Sequence, residues 1–230
     1  MEAVVFDLKS DLAHFRRPDT TSTQLTYPFI SPTAAKGIAG AILGIEDFTT
    51  HDKIGIRLLH PARTVAQQMS MLGKDTSDSP FNRPTTVELV VKPFYRIYYA
   101  GDEYVRDLYR FLSEGRAVYP TYLGSAYALT KPVLQAYYEH VEPLCEWSEP
   151  LRTRCVVPTR LVKEMKFEPE RYYSRAGGFM LTYKGSREFE KSIDFVYERN
   201  GDAIAFLPDK SQITGDLQIA QIGDETVCLF

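Results

Sequence analysis

The side chains with the chemistry to hold a ligand are concentrated in the first forty positions. Arg16 and Arg17 follow an apolar stretch and enter a Thr-rich segment broken by Pro18 and Pro28. Guanidinium groups in such a loop form bidentate bonds to phosphate or stack on a splayed base; otherwise they are solvated surface charges. Lys36 falls in the first turns of an expected helix, where the macrodipole disfavours positive charge. A lysine there is easier to explain with an anion bound nearby. Phe15 and Tyr27 flank the same loop and offer π-faces to unstacked bases, or else pack into the core. Further along, Gln67, Gln68, Met69 and Met71 cluster in a long insertion beginning near Arg63. Thioethers there can wedge between bases, fill a partner's groove or pack on the body of the protein. A basic run, Arg152, Arg154, Arg160, Lys163, Lys166, Arg171 and Arg175, precedes Gly177 and Gly178, a step that permits a tight turn or a close backbone approach to phosphate.

Other chemistries have no sequence support: there is no P-loop, GxSxG, HExxH or carboxylate cluster. Three scattered cysteines, Cys145, Cys155 and Cys228, fit a reducing compartment and exclude a paired framework or a CxxC zinc knuckle. No metal and no cofactor is expected.

The elements that must position these residues follow from period and punctuation. Val4, Phe6 and Leu8 alternate with Val5, Asp7 and Lys9, which predicts a half-buried strand. Ser31 as N-cap, Pro32 at the first helical position and Gly44 at the far end bound a short helix. Its small residues Ala35, Gly37, Ala39 and Gly40 leave room for a neighbouring backbone or ligand. Ile54 to Leu59 reads as a second strand, and Thr85 to Tyr99 as a third, interrupted at Pro93. The insertion between them, about residues 63–84, has the length of an extended hairpin with a polar tip. A second helix follows, with Asp102 as N-cap, Tyr104, Leu108 and Phe111 at helical spacing and Gly115 at its stop. A strand comes next, then a β-rich region from about Leu151. The order is βαββαβ, that of an α+β ferredoxin-like fold. Residues 1–150 read as this unit and 151–230 as a β-rich C-terminal region.

The chain has 230 residues, 44% hydrophobic and 25% charged, enough to bury a core without disulfides or metal. Its net charge of −3 argues against nucleic-acid binding by bulk positive charge. The distribution is uneven: nets of −2, +3, −4, +5 and −5 over residues 1–56, 57–100, 101–150, 151–192 and 193–230. Two basic blocks can form one positive face, or the charges can simply lie on separate solvated faces. The acidic N-terminus and the absence of a long apolar run predict a soluble, cytoplasmic prokaryotic protein without membrane contact.

The segment HFRRPDTTSTQLTYPFISPTAAKGIAGAILG, together with YPTYLG further on, resembles the Cas five family, a subunit of the CRISPR Cascade surveillance complex in the RAMP superfamily. The likeness rests on His14, Phe15, Arg16, Arg17, Tyr27, Pro28, the Ser31–Gly44 stretch with Lys36 and Gly37, and Tyr122, Leu123 and Gly124. It covers roughly residues 1–130. It implies a palm with a β-hairpin thumb at the insertion, and a non-catalytic subunit that grips and caps the crRNA 5′ handle in antiviral defence, most like the type I-B branch. The RNA-binding set it implies is His14, Phe15, Arg16, Arg17, Tyr27, Lys36, Arg63, Gln67, Gln68, Met69, Met71, Tyr122 and Gly124. The implied partners are crRNA, the Cascade backbone and large subunits, and target DNA through the complex.

The alternative is the type I-C branch, which processes precursor crRNA as a metal-independent endoribonuclease with tyrosine, lysine and histidine. Such cleavage needs a base for the 2′-hydroxyl and an acid for the leaving oxygen. His14, Tyr27 and Lys36 are the one set that can converge for it. The family's lysine-histidine pair after the third strand is missing, since Gly101 and Asp102 lead straight into the second helix.

Overall fold

The alternating residues at the amino end do build a strand, β1 (Glu2–Lys9), but not a half-buried one. A computed structural model describes residues 1–74 and 80–230, so the expected polar tip of the insertion at 75–79 lies outside the described residues. On one face of β1, Val4, Phe6 and Leu8 enter the main core; on the other, Ala3 and Val5 pack beneath Ala220, Ile222, Val227 and Leu229. Periodicity identified the strand, but the cover on its second face comes from more than 200 residues away in sequence.

The remaining amino-terminal elements are β2 (Leu12–Ala13), α1 (Pro32–Leu43), β3 (Lys53–Leu58), β4 (Thr64–Lys74), β5 (Pro80–Val91), β6 (Phe94–Gly101), α2 (Val105–Ser113) and β7 (Val133–Tyr138). The central sheet runs β3-β6-β1-β7, antiparallel throughout. Together with the two helices this is the ferredoxin-like α+β arrangement expected from the element order. Helix α1 begins where Ser31 Oγ accepts the Ala34 N–H at 3.2 Å and ends at Gly44, whose φ of 77° only glycine adopts without strain. Gly40 has no side chain because Phe48 occupies that space: a Cβ there would lie 2.6 Å from the Phe48 Cβ.

Helix α2 corrects the sequence reading. It starts at Val105 after Tyr104, and Asp102 is not its cap. Asp52, buried at the start of the β3 region, accepts the backbone N–H groups of Asp102 and Glu103 at 3.0 Å and of Tyr104 at 2.8 Å. One carboxylate from fifty residues upstream thus satisfies the donors leading into the helix.

The expected third strand is two strands. Lys92, at φ 48°, and Pro93 separate β5 from β6. β5 pairs instead with β4 from Thr64↔Val90 to Lys74↔Pro80, so the hairpin inserted into the palm is longer than expected and includes residues 85–91.

The C-terminal region holds β8 (Leu151–Thr153), β9 (Val157–Pro158), β10 (Val162–Lys166), β11 (Tyr173–Met180), β12 (Tyr183–Gly185), β13 (Glu188–Phe189), β14 (Ser192–Glu198), β15 (Ile204–Pro208), β16 (Gln218–Ile222) and β17 (Glu225–Leu229). They form sheets β10-β15-β8 and β11-β14-β9 and the hairpins β12-β13 and β16-β17. Phe179, Phe195 and Phe206 share one buried cluster with Phe6 and Phe29, so the core is continuous between the palm and this region. Gly177 and Gly178 make neither a tight turn nor an open phosphate cradle. They form a bulge within β11, where the Gly178 N–H donates to Asp194 at 2.9 Å. No helix among the described residues is long and apolar enough to cross a membrane.

Candidate functional site

The loop carrying Arg16 and Arg17 is fastened to the hairpin at its root. The Gln24 N–H donates to Thr86 O at 2.8 Å and the Glu88 N–H to Gln24 O at 2.9 Å, adding a third ribbon beside β5. The Thr26 N–H donates to the Glu88 carboxylate at 3.1 Å, and His14 Nδ1 lies 2.7 Å from Glu88 O. Loop and hairpin root therefore form one unit.

Within this unit the expected site residues divide. Arg16 is exposed, reaches only the Thr20 carbonyl at 3.4 Å, and makes no ion pair among the described residues. Arg17 is half-buried and held bidentate by Asp19 at 3.1 and 2.7 Å, which raises the guanidinium pKa and lowers that of the carboxyl. Arg63 is exposed where β4 begins.

His14, Phe15 and Tyr27 turn inward, which corrects the expectation that they face a ligand. His14 is buried against the hairpin, and Gly124 is closed over its carbonyl: a Cβ at Gly124 would sit 2.1 Å from His14 O. That glycine, with φ +81°, is required by packing. Phe15 is buried beside Tyr95. The Tyr27 ring stacks on Phe179 at 4.1 Å and its hydroxyl donates to Gly178 O at 2.5 Å; burial raises the phenol pKa. Both rings flank the loop as the sequence indicated, but they are its apolar underside.

The hairpin buries Thr85, Val87, Leu89 and Val90 at its root and presents its side chains to solvent farther out. Gln67 and Gln68 are exposed, Met69 is half-buried and Met71 is exposed. The register places Gln67, Met69 and Met71 on one face with Phe81, whose ring lies over Gly73. Leu72, on the other face opposite Asn82, is 77% exposed. Phe81 and Leu72 are site candidates that the sequence reading missed. An apolar residue in a hairpin gives no signal of its own, and only the register shows which way it points.

Lys36 and Tyr122 meet elsewhere, in a cleft of about 790 Å³ beside α1. Neither His14 nor Tyr27 lines it, so the three side chains considered for RNA cleavage do not converge. Lys36 is half-buried there, and burial lowers its pKa to about 8. Gly37 is open to the same space, with nothing within 4 Å of where a Cβ would stand.

The basic run of the C-terminal region does not form a free positive face. Arg152 pairs with Glu168, Arg171 with Asp202, Arg175 with Asp194, Lys166 with Glu164 and Lys191 with Asp216. Arg154 and Arg57 share the buried carboxylate of Glu225, at 2.9 and 3.3 Å. Most of the positive charge counted along this run is neutralised by acids, some close in sequence, as Glu164 is to Lys166, and others 16 or more residues away.

Residues 3–83 match the family described as CRISPR-associated protein (Cas_Cas5). No curated protein matches the chain. Among solved structures, the fold is similar to a chain of a "CRISPR RNA-guided surveillance complex", at TM-score 0.59 and 11% identity, covering 90% of this chain and 91% of that one. It is similar to a CRISPR protein from Archaeoglobus fulgidus, at TM-score 0.56 and 14% identity over 99% and 98% of the two chains. A structure titled "Crystal structure of Cas protein" matches at TM-score 0.51 and 15% identity, covering 87% and 95%.

Proposed function

We propose that this chain, whose residues 3–83 match the family described as CRISPR-associated protein (Cas_Cas5) and whose fold is similar to that of CRISPR proteins along most of its length, is an RNA-binding subunit of a CRISPR surveillance complex. It holds the 5′ handle of the crRNA and caps the end of the backbone, with the inserted hairpin as a thumb at the start of the guide. Its partners are the crRNA, the backbone and large subunits and, through the complex, target DNA; the setting is antiviral defence in a prokaryotic cytoplasm. The observation that carries this reading is the fastening of the Arg16 loop to the hairpin root. It joins a guanidinium with no ion pair among the described residues to a ribbon that exposes Met71, Leu72 and Phe81, a combination suited to phosphate contact and to wedging between bases.

The role is non-catalytic. His14 and Tyr27 are committed to Glu88 and Gly178, and neither can reach a substrate hydroxyl without unpacking the loop. Repeat RNA cut by the purified protein in chelator, with cutting lost on His14→Ala, would reverse this conclusion.

The test is the salt dependence of crRNA binding by the assembled complex. Arg16→Ala lowers the slope of log K against log salt by about one unit, the effect of one phosphate contact. Arg17→Ala has a smaller effect because Asp19 already holds that side chain. An unchanged slope for Arg16→Ala removes the loop from the interface. Shortening the hairpin leaves the palm folded and impairs target pairing beside the handle; normal pairing by that variant rejects the thumb assignment.

A further inference from the structure

The cleft beside α1 has a chemistry that the handle-binding loop does not use. Its lining comes from six separated pieces of chain: α1, residues 45–53, residues 119–122, residues 181–189, residues 215–216 and Phe230. Two rings stand open in it, Tyr119 at 41% and Tyr122 at 46% exposure. The Val118 and Tyr119 N–H groups donate to Ile42 O and Ala41 O at 3.1 and 3.0 Å, which fixes the backbone beside Tyr119 on the end of α1. Phe189, on the β12-β13 hairpin, adds a third exposed ring.

The charges in the lining are unevenly committed. Asp47 accepts from the Tyr183 hydroxyl and the Ser186 N–H, Asp216 pairs with Lys191, and Glu46 accepts from the Tyr119 hydroxyl at 3.5 Å. Lys36 and Lys53 both line the cleft, and neither makes an ion pair among the described residues. Asp216 is thus neutralised by Lys191 and Asp47 and Glu46 keep their charge among neutral donors, while Lys36 and Lys53 are two ammonium groups with no ion pair among the described residues. Exposed rings and unpaired ammonium groups in one concave space match a flat heteroaromatic ring attached to a phosphate. The volume lies within the range of pockets that enclose such a molecule, roughly 300–1,000 Å³.

The geometry points to a nucleotide site in this cleft, with the base against Tyr119 and Tyr122 and the phosphate held by Lys36 and Lys53. The nucleotide is either one residue extruded from bound RNA or a free mononucleotide. The first source rests on the RNA-binding reading above; the second does not.

Two measurements on the full-length chain separate these sources. In the first, adenosine 5′-monophosphate is titrated and followed by saturation-transfer NMR. In the second, RNA with the repeat-derived 5′ end carries 2-aminopurine at one position per oligonucleotide, and fluorescence is read on binding. Lys36→Met and Tyr122→Ala are the variants, with melting curves to show that both remain folded. A mononucleotide signal weakened about tenfold or more by each variant identifies a free nucleotide as ligand. A fluorescence change at a single RNA position that both variants abolish identifies an extruded one. RNA that binds normally with neither signal overturns the cleft proposal and leaves the RNA-binding reading intact. Mononucleotide binding without RNA binding does the reverse, and the absence of both defeats both.

Discussion

Tyr27 shows how residue type and residue role separate. A tyrosine beside an arginine-bearing loop suggests a surface for a base, yet its ring stacks on Phe179 and its hydroxyl is tied to Gly178, joining the loop to the C-terminal region. Tyr27→Phe should cost about 1 kcal/mol in urea denaturation, the usual net value of one such bond, and leave RNA affinity unchanged. A folded Tyr27→Phe protein with weakened RNA binding would show that the hydroxyl serves the ligand after all. Lys36 gives a pH signature. Its folded pKa of about 8 lies below the ordinary 10.5 because burial disfavours the charged form. Below pH 8 the cost of holding that charge is fully present. As pH rises from 8 toward 10.5 the unfolded chain retains a proton that the folded one has lost, so the cost declines and stability relative to a neutral side chain increases. Lys36→Met is therefore expected to melt above the wild type at pH 7, with the gap closing by about pH 10.5. A gap independent of pH would place the lysine in water.

At the scale of elements, what could be read from sequence was what is local. Helix α1 was legible because its cap, first-turn proline and terminal glycine lie within fourteen residues and act on their own backbone. The start of α2 was misread because the carboxylate that serves it belongs to Asp52, and no spacing rule joins a cap to an acid fifty residues earlier. Asp52→Ala leaves three donors without their acceptor and should destabilise the protein by about 2 kcal/mol or more, whereas Asp102→Ala should stay within about 0.5 kcal/mol. Chemical denaturation of the two variants decides between them; equal losses would restore Asp102 as the cap. The hairpin was visible as an insertion too long for a turn, but its second strand was assigned to the palm. The break at Lys92 depends on a left-handed backbone that a lysine does not announce. Of the candidate site, Arg16 and Met71, which are exposed, and Met69, which is half-buried, were chosen from residue type. The inward turn of His14, Phe15 and Tyr27 was not, since type does not say which side of a loop a ring will take.

Over the whole molecule, the order of elements was sufficient to derive the central sheet, while the charge bookkeeping was not sufficient to derive a surface. The block of net +5 left open a positive face or separate solvated charges, and most of its cations are held in ion pairs. Glu225 is its most buried member: it receives Arg57 and Arg154 and also the Arg154 N–H at 2.7 Å. Glu225→Ala strands the Arg57 guanidinium at the junction of β3, β8 and β17, while Arg154 keeps Asp224 and solvent, and should cost about 2–3 kcal/mol, below the penalty for a fully buried pair broken from one side. Because a single core runs between the palm and the C-terminal region, this loss should lower one cooperative unfolding transition and not split it in two. Calorimetry showing two resolved transitions would contradict the shared core.

The cover over the second face of β1 also sets a timetable for synthesis. The central strand leaves the ribosome well before the hairpin that shields Ala3 and Val5, residues 218–229, which is made more than 200 residues later. Throughout translation the nascent palm carries a bare apolar sheet face, so messages cut short before residue 218 should yield sticky, chaperone-dependent fragments.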